Sequence, residues 1–402
     1  MNRINPTELL QERIPMISKF VCSSVVALSV LMAAPVSAAV KIGMITTLTT
    51  KAGYLGEDIR DGFKLAIEQG GGKLGNVEVE LMVEDDGRKP GKGRQIAERY
   101  IKSDKVKIMT GIVFSNVAMA VVPKVVKDDV FYISPNAGPS ALAGKGCHEN
   151  YFNAAWQNDN LHEVMGQYVT DAGFKSAYIL APNYPAGKDA LAGFKRFYKG
   201  KVVGEVYTKL GQSDYAAELA NLRSAKPDAV FFFLPGGMGI NFLKQYSQAG
   251  LNKTTPVFGP AFSFDARILK AVGDAAVGVH NGSQWNFDLD NSANKQFVSA
   301  FKAKYGRMPT LYASQGYDTA NLIGSALKAT GGEPQNMAAF RKALEKADFD
   351  SVRGNFRFGN NHHPVQDLYV REVVKDSTGI HNKTVKKVFS SHQDAYAANC
   401  KL

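Results

Sequence analysis

The stretch TGIVFSN, Thr110–Asn116, brings two small polar residues to a point where a strand ends and a helix begins. Its apolar run stops at Ser115 and Asn116, and apolar residues at helical spacing continue over Val117–Val126. This spacing predicts a helix that starts at the polar pair. The first turn of a helix presents free backbone N–H groups and the positive end of the helix dipole. We therefore predict that an electron-rich group of a ligand binds here.

Hydroxyl and aromatic side chains recur at other predicted strand ends. Ser134 ends one strand, and Tyr54 and Tyr184 follow strands in the turns KAGYLG and APNYPAG. Trp156 and Trp285 are the only tryptophans, and both fall near predicted crossings between two halves of the chain. Aromatic rings in a cleft give a ligand a large contact area with a polar handle. For the two tryptophans, packing in a core is the alternative interpretation.

Motifs for catalysis or metal binding do not emerge from the sequence. It contains neither a GxSxG nucleophile motif nor an HExxH zinc motif. The cluster Gly236–Gly239 lacks the spacing of a dinucleotide-binding loop and is typical of a tight turn. His362 and His363 have no histidine or cysteine at ligand spacing, and Glu84–Asp86 is interpreted as a solvated strand end. We therefore predict a binding protein that is not an enzyme and holds no cofactor or metal.

The first 38 residues have the pattern of a secretory signal peptide. Basic residues precede the apolar run Phe20–Ala34, and small residues follow it at Val36–Ala39. This run is short for a membrane span, so we predict cleavage after Ala38. A retained N-terminal anchor is the alternative, and either Met1 or Met16 fits as the start of the protein.

The composition favours a globular protein with a small-molecule ligand. Of the 402 residues, 45% are hydrophobic and 21% are charged, which argues against disorder. The length suits two domains. The net charge of +11 is spread along the chain, without the basic patch that nucleic-acid binding requires. Nucleic acid is therefore excluded as a partner, and the positive balance favours an anionic ligand.

Two cysteines remain after the predicted cleavage, Cys147 and Cys400. In an exported chain, a single pair of cysteines predicts one disulfide bond. The bond would tie the C-terminus of the protein to the loop before Tyr151. Two free thiols are the alternative.

Short apolar strands alternate with helices from Val40 to Gly282. This order predicts an α/β fold whose parallel sheets are covered by helices on both faces. The strands are too many for one sheet, so we predict two lobes that separate near Ala154–Asp159. Helices between Asn294 and Lys346 and a β-rich end follow. Ligands bind beyond the carboxyl ends of parallel strands, and those ends are Ile112–Asn116, Ser134–Gly138, Ala181–Tyr184, Leu234–Gly237 and Gly259–Phe262.

The order of several motifs resembles that of one family of transport proteins. In chain order, the motifs are GYLGEDIRDGFKLAIE, VEDDGRKP, TGIVFSN, YISPNAG, APNYPAG, FGPAFSFD and GRMPTLYASQGYDTANLI. They cover nearly all of the chain after the predicted cleavage, which is similar to the Leu/Ile/Val-type periplasmic solute-binding proteins of ABC transporters. The resemblance implies a type I periplasmic binding protein, with two Rossmann-like lobes of parallel sheets joined by a three-strand hinge. Lobe 1 would comprise 39–155 and 288–350, and lobe 2 would comprise 156–287 and 351–402.

The resemblance also implies roles for single residues. The hydroxyl of Ser115 and the backbone of Asn136 and Ala137 would hold a ligand carboxylate, while Tyr54 and Tyr184 would close over the ligand. The strand ends and the resemblance together predict a set of ligand-binding residues. These are Tyr54, Ser115, Asn116, Ser134, Asn136, Ala137, Trp156, Tyr184, Ala261 and Phe262.

Two positions depart from the pattern of the amino acid-binding members. Gly138 stands where those members have a hydroxyl for the ligand ammonium, and Ala261 stands where they have an acid. An unpaired ammonium in the cleft costs roughly 3–5 kcal/mol, whereas a carboxylate at a helix N-terminus gains only about 0.3–2 kcal/mol. We therefore predict a small carboxylate with an aromatic or apolar body. Asp265 or Asp318 could replace the missing acid, so binding of a branched-chain or other apolar amino acid is the alternative.

The resemblance places the protein in the periplasm. It would be the substrate-binding component of an ABC importer, would act as a monomer and would deliver its ligand to a permease and ATPase complex. A ligand sensor that signals to a membrane receptor would share the same cleft, so a sensor remains a second interpretation of the sequence.

Overall fold

The computed structural model describes residues 38–402, and a six-stranded sheet organises the first part of them. Its strands are β1 (Val40–Thr46), β2 (Lys73–Leu74), β3 (Val77–Asp85), β4 (Ile108–Thr110), β5 (Phe131–Ser134) and β6 (Tyr151–Asn153). Their spatial order is β2-β3-β1-β4-β5-β6. All neighbouring strands are parallel except β2, which pairs antiparallel with β3.

An eight-stranded sheet organises the second lobe. Its strands are β7 (Ser176–Pro182), β8 (Lys201–Thr208), β9 (Ala229–Phe232), β10 (Val257–Pro260), β11 (His280–Ser283), β12 (Phe356–Phe358), β13 (Pro364–Asp376) and β14 (Gly379–His392). The order β12-β13-β11-β10-β9-β7-β8 runs across the sheet, and β14 pairs with β13. The strands β7 to β11 are parallel. Strand β13 pairs antiparallel with β11, and β12 and β14 pair antiparallel with β13.

Twelve helices cover the two sheets in the described part of the chain. The first four belong to lobe 1: α1 (Gly53–Gln69), α2 (Pro90–Lys102), α3 (Ser115–Lys127) and α4 (Ser140–Ala143). The next five belong to lobe 2: α5 (Asn160–Asp171), α6 (Pro185–Phe197), α7 (Ala216–Ala225), α8 (Gly237–Gln248) and α9 (Ala266–Val272). The last three are α10 (Ser292–Tyr305), α11 (Leu311–Ala329) and α12 (Met337–Lys346). They return to lobe 1, where α11 packs along α1.

This arrangement confirms the predicted α/β fold with two lobes, but the prediction of parallel sheets is incomplete. A parallel pair needs a crossover of about a dozen residues or more, whereas a short turn forces an antiparallel pair. Only residues 359–363 separate β12 from β13, and only residues 377–378 separate β13 from β14. The C-terminal strands therefore extend a parallel sheet as antiparallel neighbours.

Three crossings connect the lobes, at residues 154–159, 284–291 and 347–355, and they confirm the predicted three-strand hinge. Arg353 in the third crossing joins it to the first. Its buried guanidinium donates to the carbonyls of Ala154 and Ala155 at 2.7 and 3.0 Å, and it pairs with Asp318 of α11 at 3.0 Å. The first and third crossings are therefore bonded to each other, while the residue limits of the lobes stay a prediction.

A disulfide bond joins Cys147 to Cys400, with the two Cα atoms 5.8 Å apart, as predicted. It links the loop before β6, in the first sheet, to the tail that follows β14 of the second sheet. No helix within residues 38–402 combines the length and the apolar character of a membrane span. The predicted signal peptide comprises residues 1–38, and all of it except Ala38 lies outside the described part of the chain.

Candidate ligand-binding cleft

Helix α3 begins inside the protein with an uncapped N-terminus. The residue before it, Phe114, has no side-chain oxygen and makes no capping bond. In the described part of the chain, the backbone N–H groups of Ser115 and Asn116 have no hydrogen-bond partner, and Ser115 is buried. Such a helix start favours an anion, because its N–H groups and the helix dipole both attract negative charge. The predicted start of the helix at this polar pair is confirmed.

The hydroxyl of Ser115 is oriented by hydrogen bonds that connect the two lobes. Its Oγ accepts a bond of 3.1 Å from Nδ2 of Asn158, which lies in the first hinge crossing. The same Nδ2 donates to Asp189 of α6 at 2.9 Å. Asp189 also accepts from the hydroxyl and the backbone N–H of Ser140 at 2.6 and 3.0 Å. Because Ser115 Oγ already accepts a bond, its own hydrogen is available to a ligand oxygen.

The loop after β5 is held against α3 by its own side chains. Ser134 donates its hydroxyl hydrogen to the carbonyl of Ala137 at 2.7 Å. Asn136 donates from Nδ2 to the carbonyl of Val113 at 2.6 Å. These two bonds bring the backbone of Asn136 and Ala137 to the same cavity as the start of α3.

Aromatic rings form the other walls of this cavity. Trp156 meets Phe262 edge-on with ring centres 4.7 Å apart, and Tyr184 stacks with Phe233 at 6.3 Å. Tyr312 of α11 adds a ring from lobe 1. Burial raises the pKa of the Tyr184 and Tyr312 hydroxyls, so both are neutral at physiological pH. Walls of this kind suit a flat apolar group.

His162 of α5 stands among these rings. It is 1% exposed, and its ring centre lies 5.0 Å from that of Phe233 and 5.8 Å from that of Phe231. Burial lowers the pKa of the imidazole to about 3, so the side chain is neutral. Its Nδ1 has no hydrogen-bond partner. Sequence reasoning missed this residue, because a histidine on a helix carries no signal of its own.

These groups enclose a narrow cavity between the lobes, in which about 30 Å³ is open to the centre of a water molecule. None of the described residues that line it is an aspartate, glutamate, lysine or arginine. The lining residues are Leu55, Val113, Phe114, Ser115, Asn136, Ala137, Trp156, Asn158, His162, Tyr184, Ala186, Phe233, Pro235, Phe262 and Tyr312.

The structure brings six of the ten predicted ligand-binding residues to this cavity, namely Ser115, Asn136, Ala137, Trp156, Tyr184 and Phe262. The other four do not line it. Ser134 shapes the loop behind it, Ala261 is fully buried, and Asn116 lies one residue deeper in α3. Tyr54 packs against lobe 2 instead, where the guanidinium of Arg267 lies 5.4 Å from the centre of its ring. Tyr54 therefore contacts lobe 2 but does not line the cavity, and its closing over a ligand stays a prediction.

Neither acid that could replace the missing ammonium partner lies in the lining. Asp265 caps α9, where its Oδ1 accepts from the backbone N–H groups of Arg267 and Ile268 at 3.0 and 3.2 Å. Asp318 is held in the hinge by its pair with Arg353. Asp265 instead lines a second cavity of about 300 Å³. The helix starts in this cavity, those of α9 and α11, are capped by side chains. Within residues 38–402, no cluster of three metal-ligating side chains occurs.

Comparison with known proteins supports the family that the sequence motifs predicted. Residues 39–378 match a family model described as periplasmic binding protein. A Leu/Ile/Val-binding protein homolog of Brucella melitensis is 25% identical over 365 residues, which cover 88% of this chain and 93% of the relative. An ABC transporter solute-binding protein from R. palustris, solved in complex with benzoate, is 32% identical with a TM-score of 0.85, and the match covers 90% of this chain and 100% of that one.

Two further solved structures extend the comparison. A solute-binding protein of an ABC transporter from Rhodopseudomonas palustris BisB5, in complex with 3,4-dihydroxybenzoic acid, is 30% identical. Its TM-score is 0.82, and the match covers 89% of this chain and 99% of that one. A leucine-binding protein from Thermotoga maritima, 20% identical with a TM-score of 0.77, shares the fold.

The two lobes, the cavity between them and these matches agree with the predicted family and with a role in transport rather than catalysis. The chain belongs to the periplasmic binding protein family, whose members work in the periplasm, and it is the solute-binding component of an ABC transporter.

Proposed function

We propose that this protein binds a small carboxylate with an aromatic body and delivers it to an ABC permease and ATPase complex for import. One observation carries the proposal: the uncapped start of α3 opens into a cavity whose described lining contains no charged side chain. The helix start and the Ser115 hydroxyl supply donors for a carboxylate. The aromatic walls supply contact area for an apolar ring.

The two departures from the amino acid-binding pattern support the same ligand. A Cβ added to Gly138 would lie 2.1 Å from the carbonyl oxygen of Trp156, so a threonine cannot stand there unless the backbone moves. Ala261 supplies no charge, and Asp265 and Asp318 lie outside the lining. A ligand ammonium would therefore be buried without a counter-charge, at a cost of roughly 3–5 kcal/mol.

The related proteins favour an aromatic acid as the ligand and leave one alternative class of ligand. The solved relative with benzoate is 32% identical to this chain, and the one with 3,4-dihydroxybenzoic acid is 30% identical. The relatives named as Leu/Ile/Val-binding proteins are 25% identical over most of the chain. An apolar amino acid is therefore the second candidate ligand.

The proposal includes the route by which the protein reaches its place of action. A signal peptide of 38 residues directs export, and the mature protein starts at Ala39 and acts as a monomer. N-terminal sequencing and the mass of the native protein test both points. An intact N-terminus in the membrane fraction would count against the export route.

Calorimetry with purified protein tests the ligand. Benzoate and a phenylpropanoid acid are titrated beside leucine and phenylalanine, and any ligand carried over from the cell is first removed by unfolding and refolding. We expect heat of binding with the aromatic acids alone, together with a change in tryptophan fluorescence, because Trp156 lines the cavity. Tight binding of leucine without binding of benzoate would overturn the proposal.

A further inference from the structure

The two ends of the cavity differ in the polar groups that they offer. Lobe 1 and the hinge contribute the start of α3, the backbone at Asn136 and the amide of Asn158. Lobe 2 contributes Phe233, Pro235, Phe262 and Ala186, which are apolar, and only two polar side chains, which are Tyr184 and His162. A carboxylate bound at α3 therefore directs the far side of its ring towards the lobe 2 wall.

Within residues 38–402 neither the Tyr184 hydroxyl nor the His162 ring makes a hydrogen bond, and His162 is the more deeply buried of the two, at 1% exposed against 8%. Neither of its ring nitrogens has a hydrogen-bond partner in this part of the chain, and Nδ1 is sealed from solvent. Buried polar groups are nearly always hydrogen-bonded, so one without a partner requires an explanation. Its neighbours do not provide one, since Phe231, Phe233 and Phe262 offer only ring edges and faces.

The chemistry of the imidazole limits which groups of a ligand can bond to His162. It belongs to no group of three metal-ligating side chains in residues 38–402. With a pKa lowered to about 3 by burial, it carries one N–H donor and one acceptor nitrogen and no charge. It therefore gives no counter-charge to a second carboxylate. A phenolic hydroxyl, which donates one hydrogen and accepts another, is its complement.

We propose that His162 is a specificity-determining residue that hydrogen-bonds a hydroxyl group on the ring of the bound acid, so that hydroxylated aromatic carboxylates are the preferred ligands. This inference rests on the proposed function, because it requires the carboxylate to occupy the start of α3. It assigns the anionic end of the ligand to lobe 1 and the phenolic end to lobe 2.

The test compares four acids on three proteins. Benzoate, 3-hydroxybenzoate, 4-hydroxybenzoate and 3,4-dihydroxybenzoate are titrated into the wild type, His162→Phe and the matched variant Tyr184→Phe. We expect at least one hydroxylated acid to bind the wild type about tenfold or more tightly than benzoate. His162→Phe should remove this preference, so that this variant binds the hydroxylated acids no more tightly than it binds benzoate. Tyr184→Phe should keep the preference.

The possible results separate the two proposals. If no acid binds the wild type, the proposed function fails. If benzoate binds and no hydroxyl group improves the affinity, the inference about His162 is wrong while the proposed function stands. It is also wrong if the preference survives in His162→Phe or disappears in Tyr184→Phe.

A second measurement covers the case in which His162→Phe does not fold. The ¹⁵N NMR signals of the His162 ring are recorded in the wild type with benzoate and with the preferred hydroxylated acid. We expect the hydroxylated acid to shift them and benzoate to leave them near the free position. Equal spectra with the two acids would overturn the inference.

Discussion

At the scale of single residues, the Ser115 hydroxyl is the group whose loss should affect binding most directly. It is buried at the helix start and is oriented by Asn158 at 3.1 Å. Ser115→Ala should weaken binding of an aromatic acid by about 1–3 kcal/mol, the cost of leaving a buried partner unsatisfied. Calorimetry measures the loss.

The matched control for this variant is Ser224→Ala. Ser224 lies on the exposed face of α7, away from the cavity, and its removal should leave the affinity for the acid unchanged. If Ser115→Ala binds benzoate as tightly as the control does, the Ser115 hydroxyl does not bind the carboxylate.

Sequence reasoning found some of the residues that line the cavity and missed others for a physical reason. Ser115, Asn136 and Tyr184 were predictable because each lies just after a strand, and strand ends converge at one edge of a sheet. His162 and Tyr312 lie on helices, and only the packing of those helices turns the two rings to the cavity. The role of Ser134 was also hidden, since its hydroxyl bonds the loop itself.

At the scale of elements, the start of α9 meets the start of α1 across the cleft and brings two buried carboxyl groups close together. Burial, together with the charge of Asp58, raises the pKa of Asp265 to about 7. Burial likewise raises the pKa of Asp58 to about 6, although Arg307 and Arg267 oppose the shift. The folded protein therefore binds more protons than the unfolded chain between about pH 4 and 7.

These two groups predict how stability depends on pH. Since both folded pKa values are raised, their contribution to the free energy of unfolding falls as the pH rises from about 4 to 7. For Asp265 alone the fall is roughly 2–4 kcal/mol, because one pKa unit corresponds to about 1.4 kcal/mol. Denaturant unfolding at a series of pH values measures it.

Asp265→Asn tests the assignment, because asparagine still caps α9 but does not titrate. The variant should flatten the pH dependence of unfolding in this window. The control is Asp129→Asn at an exposed position, which should keep the slope of the wild type. The same slope in both variants would mean that Asp265 does not carry the effect.

The elements themselves were largely predictable, because each depends on local pattern. The alternation of apolar strands with helices predicted β1, β3, β4, β5 and β7 to β11 in this order, but it did not predict the three-residue strand β6. The antiparallel pairing of β12, β13 and β14 was not predicted, because it depends on the short turns between these strands, although the resemblance placed 351–402 in lobe 2. The two-residue strand β2 is too short for any periodicity to reveal.

At the scale of the whole molecule, the buried pair of Arg353 and Asp318 holds the hinge together. Arg353→Met should lower the free energy of unfolding by about 3–5 kcal/mol, because it leaves the carboxylate of Asp318 buried without its partner. The double variant Arg353→Met/Asp318→Asn should recover part of this loss, since it also removes the unpaired charge of Asp318. Denaturant unfolding of the three proteins tests the order, and a single variant as stable as the wild type would contradict it.

The disulfide bond acts at the same scale. Its removal in the double variant Cys147→Ser/Cys400→Ser should lower the free energy of unfolding by about 4–5 kcal/mol, the value that the chain-entropy model gives for long loops. A reducing agent should destabilise the wild type by a similar amount and leave the variant unaffected. An equal response of both proteins to the reducing agent would mean that the bond is not responsible.

The same bond turns most of the polypeptide into a macrocycle, because the two sulfur-bearing residues are 253 positions apart. The ring contains the whole second sheet, the three crossings of the hinge and the helices α5 to α12. One proteolytic cut inside it, for example at the exposed turn Ser377–Thr378 between β13 and β14, opens the ring but releases no fragment. A carrier that meets proteases outside the cytoplasm can thus be nicked once within this span and still migrate as one covalent molecule until it is reduced.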